Sequence, residues 1–220
     1  MKLDDSKQCV FQKNNCQIEW SGYSGSLMTD LKSKLGDITK ALVAEYNSAD
    51  SIKQIGSEKI PSKESVIEII KEIEQILFQG YFGDIEVCEE SLEYDIGANL
   101  FKIYDKLSGQ ISKSFRHKCA YNHYKMCIEC YNKSATLAFD FLKQLPNLRN
   151  LICDDIRAVF DGDSAAKSYD EIVFSYPGFK AILIYRIAHA LNLLNIPLLP
   201  RIMTEYAHSV TGVDIHPGAQ

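Results

Sequence analysis

From about residue 26 onward, apolar positions recur in steps of three and four, the period of a helix with one buried side. Leu27, Leu31, Leu35, Ile38, Leu42 and Tyr46 form the first stripe, and Gln54 to Ser62 interrupts it with Gly56 and Pro61. A cleaner stripe follows in Val66, Ile69, Ile70, Ile73, Ile76 and Leu77, with Glu68, Lys71, Glu72 and Glu74 expected off the apolar face. Ser62 offers the hydroxyl an N-cap needs, and Gly80 accepts the backbone that stops a helix. Leu92, Ile96, Leu100, Ile103, Leu107 and Ile111 predict a helix over about 91–116. Tyr124, Cys127, Ile128, Tyr131, Ala135, Ala138 and Leu142 predict another over about 118–143, ended by Pro146. Ile152, Ile156 and Val159 suggest a short helix. Beyond Asp163 come three pieces near 167–175, 179–195 and 198–210, punctuated by Pro177-Gly178 and Pro197.

No stretch before residue 212 alternates with period two, so the expected fold is all-α, with about seven or eight helices. Residues 1–25 hold no lasting period and read as an irregular N-terminal tail. After Gly212 the texture changes. Val213-Asp214-Ile215-His216-Pro217-Gly218-Ala219 alternates apolar and polar residues before a Pro-Gly corner, the pattern of a short strand and its turn. Hexapeptide β-helices stack such strands in coils, and no single coil buries its apolar face alone.

Composition narrows the functional classes. The 220 residues are 46% hydrophobic and 24% charged, ordinary for a globular protein that buries on the order of 70% of its unfolded surface. A formal net charge of −5 gives no general reason to bind nucleic acid or anionic lipid. No apolar run approaches a membrane span, and Met1 to Gln17 lacks a secretory core, so a cytoplasmic location is expected. Seven irregularly spaced cysteines fit reduced thiols better than a disulfide framework.

Two late motifs carry more. Tyr176-Pro177-Gly178-Phe179 is followed by Tyr185-Arg186-Ile187-Ala188-His189, and Met203-Thr204-Glu205-Tyr206-Ala207-His208-Ser209 leads into Gly212-Val213-Asp214-Ile215-His216-Pro217. In order and spacing these resemble serine O-acetyltransferases at the join between their helical domain and their left-handed β-helix. The resemblance covers roughly residues 60–220 and is strongest from Asp163 on. It implies a helical domain over 26–211 and, over 212–220, the first edge of a left-handed β-helix truncated by the end of the chain.

The resemblance implies transfer of an acetyl group from acetyl-CoA, a co-substrate with no tightly bound cofactor, to the hydroxyl of L-serine on the route to cysteine. The family's Asp-Pro-Ala motif stands at the distance from Gly178 where this chain has Asp163-Ser164-Ala165. Asp163 is thereby implied to hold the serine ammonium, with Ser164 in place of the proline. Asp214 is implied to orient a catalytic histidine from the next coil, as a carboxylate fixes an imidazole tautomer. That histidine, the serine-carboxylate ligands and the coenzyme A coils are not in these 220 residues, so the chain alone is expected to be inactive. The family also implies homo-oligomers through the helical domain, a dimer of trimers when whole. It implies O-acetylserine sulfhydrylase as a partner only through a C-terminal tail this chain lacks.

Other residues carry plainer readings. His189 reads as a hydrogen-bonded interior histidine, Arg186 as the partner of an acid, His216 as a turn residue and His208 as structural. His117, Cys119, His123, Cys127 and Cys130 have soft and imidazole ligands at short spacing, but no second knuckle pair, and read as thiols of a helical core rather than a metal site. The alternative to the enzyme reading is a helical oligomerisation module without catalytic activity. The last eight or so residues, a coil edge without a successor, are expected to be mobile or captured by a neighbouring chain.

Overall fold

The computed structural model describes residues 25–48, 60–82, 88–116 and 128–219. Among them are eight helices: α1 (Gly25–Tyr46), α2 (Lys63–Leu77), α3 (Leu92–Arg116), α4 (Ile128–Leu142), α5 (Leu145–Gly162), α6 (Tyr169–Ser175), α7 (Pro177–Leu193) and α8 (Leu199–Thr211). No strand occurs among the described residues, and the all-α expectation holds. The chain divides into two compact units, Met1–Ile55 and Gly56–Gln220. In the first, α1 leaves Leu31, Leu35, Ile38, Leu42 and Tyr46 exposed.

The second unit is built on α2. Ser62 caps it, its side chain accepting from the Ser65 amide at 3.2 Å, and Val66, Ile69, Ile70 and Ile73 are fully buried. Each such aliphatic side chain contributes about 1.5–3 kcal/mol by leaving water. Helix α2 packs against two neighbours, α3 and α8. Glu72 and Glu74, expected off the apolar face, are therefore buried. Glu72 meets Lys102 at 2.8 Å and Lys106 at 2.7 Å, and Glu74 meets Lys180 at 2.5 Å. Buried carboxylates persist because an ammonium from a neighbouring helix accompanies each.

Several boundaries differ from the sequence expectation. Helix α4 ends at Leu142, before Pro146, and Pro146 opens α5, where a missing N–H costs nothing. The expected short helix there is consequently 18 residues long. Pro177 falls at the boundary after α6, as expected, and is the first residue of α7. Helix α2 stops at Leu77, and Gly80 sits in the turn beyond, with φ +83°. The buried face of α4 is Ser134, Ala138 and Phe141, while Ile128 and Tyr131 are exposed, so the inward stripe lies beside the one the sequence suggested. The expected first turns of that helix, 118–127, lie outside the described residues.

Helix α7 is apolar around most of its circumference, burying Phe179, Leu183, Ile184, Ile187 and Leu191, as a central helix must. It packs against α8, to which a short turn connects it, and against α5. Helix α8 ends at Gly212, whose left-handed φ of +73° lets its N–H reach the His208 carbonyl at 2.9 Å. Together α5, α7 and α8 place the two aspartates singled out by sequence.

Candidate functional site

Asp163 caps the C-terminal end of α5, its N–H donating to the Val159 carbonyl at 2.9 Å. One carboxylate oxygen accepts the Ala165 amide at 2.9 Å, so the loop closes on itself with Ser164 in the middle and needs no proline there. The other accepts the Tyr176 hydroxyl at 2.8 Å. The Ala165 amide first, and the Tyr176 hydroxyl second, hold the Asp163 carboxyl below the usual carboxylate range. The same bond pushes the Tyr176 phenol up. Asp163 is thus a fixed, ionised carboxylate at the start of the segment leading into α6 and α7.

Tyr176 lines a cavity of about 330 Å3 with Phe82, Phe174, Lys180, Tyr206 and Thr211. Lys180 reaches from its wall to Glu74, and its ammonium also lies 5.8 Å from the centre of the Phe82 ring. Burial, and then the charge of Glu74, push the Tyr206 phenol up. Thr211, on the same wall, accepts the Val213 amide at 3.1 Å and leads directly into Asp214. The cavity therefore lies between the hydrogen-bond partner of Asp163 and the helix end that carries Asp214. Neither carboxylate lines it.

Asp214 is exposed, and its carboxylate has no hydrogen bond or ion pair among the described residues. The segment after it turns back onto α7 of its own chain. The Tyr185 hydroxyl donates to the Ala219 carbonyl at 2.6 Å, and His189 Nδ1 lies 2.8 Å from the Pro217 carbonyl oxygen. Residues 216–219 are thus seated within the chain, against the expectation of a free or captured edge. Residues 213–216 form no ladder; the alternating pattern makes an irregular link ending in a turn, with Ala219 N–H donating to His216 C=O at 2.9 Å.

Three of the plainer readings find partners. His189 is half-buried and hydrogen-bonded, His216 accepts the Gly218 amide within the turn at 3.1 Å, and Arg186 grips Asp155 through two nitrogens. That contact raises the Arg186 guanidinium further. His208 is exposed in the last turn of α8. Of the cysteine and histidine cluster, His117, Cys119, His123 and Cys127 lie outside the described residues, among which no group of three or more ligand-type side chains could hold a metal. No helix among the described residues is long and apolar enough to cross a membrane. The sequence names Tyr176 within a motif and Glu74 as a flanking acid but gives neither them nor Lys180 a role at the site; the one available signal is the tyrosine immediately before the Pro177-Gly178 pair.

The helical body thus carries Asp163 in the loop after α5 and Asp214 on the link after α8. No family model matches the chain. The plasmid serine acetyltransferase of Synechococcus elongatus is 38% identical over 162 residues, 73% of this chain and 51% of that protein. The serine acetyltransferase of Bacillus subtilis is 44% identical over 69 residues, 31% of this chain and 32% of that protein. Among solved structures, Entamoeba histolytica serine acetyltransferase isoform 3 in complex with cysteine superposes with a TM-score of 0.54 at 28% identity, over 85% of this chain and 60% of that one. Native serine acetyltransferase 1 of the same organism gives 0.55 at 26% identity, over 86% and 64%. The chain is a relative of the serine acetyltransferases, and it spans about half the length of the Synechococcus relative.

Proposed function

We propose that this chain is the helical portion of a serine O-acetyltransferase, which transfers the acetyl group of acetyl-CoA to L-serine. The observation that carries the reading is the 38% identity over 162 residues, which reaches well beyond the two motifs. In the reaction the serine oxygen attacks the thioester carbonyl, its proton passes to an imidazole, and coenzyme A leaves as the thiol. Asp163 holds the serine ammonium; its oxygens keep lone pairs beyond those used by Ala165 and Tyr176, and its low pKa keeps it anionic. Asp214 orients the imidazole, which comes from a segment outside these 220 residues, as do the coenzyme A contacts. Residues 212–220, which follow the last helix, are the start of the hexapeptide β-helix.

The 220 residues alone are therefore inactive on this reading. The test is release of coenzyme A from acetyl-CoA with L-serine, by this chain and by the product of its whole gene. Serine-dependent release by the whole product and none by the chain supports the reading; release by the chain, or by neither, overturns it.

A second role, assembly through the helical body, has its own support. Tyr94 and Phe101 on α3 are 78% and 77% exposed, and Phe139 on α4 is 57% exposed. Phe101 and Phe139 border an apolar groove of about 480 Å3 with Gly97, Leu100, Tyr104 and Leu142. Apolar faces of this kind mark contacts between chains. We assign them to homo-oligomers of the helical domain, within a dimer of trimers for the whole protein, in the cytoplasm. O-acetylserine sulfhydrylase would join only through a C-terminal tail outside these residues.

A further inference from the structure

Tyr185 and His189 lie one turn apart on α7, and both reach the segment that follows Asp214. Tyr185 donates to the Ala219 carbonyl at 2.6 Å, and His189 Nδ1 stands 2.8 Å from the Pro217 carbonyl oxygen. A carbonyl oxygen can only accept, so His189 carries its proton on Nδ1. The two rings lie against each other with centroids 5.5 Å apart. Pro217 is buried between exposed neighbours, His216 and Gly218. The turn it opens is closed by Gly218 N–H on His216 Nδ1 at 3.1 Å and Ala219 N–H on His216 C=O at 2.9 Å. On the other side of Asp214, Gly212 is fixed to His208 and Val213 to Thr211.

We propose that Tyr185 and His189 are positioning residues for Asp214, a role that rests on the function proposed above. They clamp the chain at 217–219 while the end of α8 clamps it at 212–213, so the link carrying Asp214 is held at both ends. A carboxylate that must orient an imidazole needs this, because it has no partner of its own among the described residues to fix it. Misplacing such a group by about 1 Å costs on the order of a hundredfold in rate. The clamp also ties the helical body to the direction in which the chain leaves it.

The experiment has two arms. In the 220-residue chain, 15N relaxation reads the order of the Gly218 and Ala219 amides in wild type, Tyr185→Phe, His189→Gln and His189→Asn. Asparagine places an N–H donor where Nδ1 stands, and glutamine places it a bond further out. We expect order parameters near 0.85 in wild type and His189→Asn, and below about 0.6 in Tyr185→Phe and His189→Gln, with the helical amides unchanged. Equal order in all four, or equal loss in both His189 variants, overturns the clamp. In the whole gene product, Tyr185→Phe and His189→Gln should lower kcat about ten- to a hundredfold with KM for serine unchanged, and His189→Asn should restore it. An active wild type with unaltered kcat in the variants overturns the positioning role. An inactive wild type refutes the proposed function and the positioning role with it, leaving the clamp to be judged by the relaxation data.

Discussion

The Tyr176 hydroxyl donates to the Asp163 carboxylate at 2.8 Å, joining the loop after α5 to the first residue before α7. The bond links the aspartate proposed to hold serine to the wall of the cavity beside it. It also fixes the sign of a pH effect. The Asp163 pKa is lower in the folded chain than the unfolded value of about 3.9, so its contribution to stability is present above that value and lost as pH falls through the folded one. Tyr176 is raised, so its contribution is present below about pH 10 and lost above it. Tyr176→Phe should move the Asp163 carboxyl part of the way back up, since the Ala165 amide remains. Carboxyl 13C titration of Asp163 checks this; an unchanged midpoint would show that the hydroxyl does not stabilise the anion.

Lys180 and Glu74 make a second testable pair. Glu74 is 3% exposed, so Lys180→Met strands a buried carboxylate and should cost about 3–5 kcal/mol. Glu74→Gln together with Lys180→Met removes both charges and should recover most of that loss. Urea unfolding of the two single variants and the double one completes the cycle. Additive losses would mean that the ammonium does not neutralise the acid.

Much of this was legible in the sequence, and the exceptions have physical causes. The six-residue stripe of α2 was read directly, because Val66, Ile69, Ile70 and Ile73 are buried in one core. Glu68 and Lys71 lie outside as expected, whereas Glu72 and Glu74 are buried, because periodicity describes one face and cannot see a helix packed against two neighbours. Pro177 marks the boundary between α6 and α7 as expected, whereas Pro146, expected to end one helix, lies in the first turn of the next; a proline marks a boundary without saying which side of it is helical. On α4 the inward face falls on Ser134, Ala138 and Phe141, a set too mixed in polarity to stand out against the Ile128 and Tyr131 stripe. Motif order and spacing single out Asp163 and Asp214. The bond from Tyr176, and the return of residues 216–219 onto Tyr185 and His189, depend on tertiary contacts separated by 13 to 34 positions.

The exposed aromatic face of α3 and α4 predicts association. Light scattering should give a mass above the 24.9 kDa of one chain. Phe101→Asp, at a position already 77% exposed, should reduce that mass towards a single chain while leaving the helical circular dichroism intact. A wild-type chain that is monomeric at micromolar concentration, or a variant that assembles as well as wild type, would remove this face from the interface.

The most direct measurement concerns Asp214. Serine-dependent release of coenzyme A by the whole gene product should fall by up to about 10⁴ in kcat for Asp214→Asn, the scale on which an orienting carboxylate acts, with KM for serine little changed. Equal rates with and without that carboxylate would contradict the account at its centre.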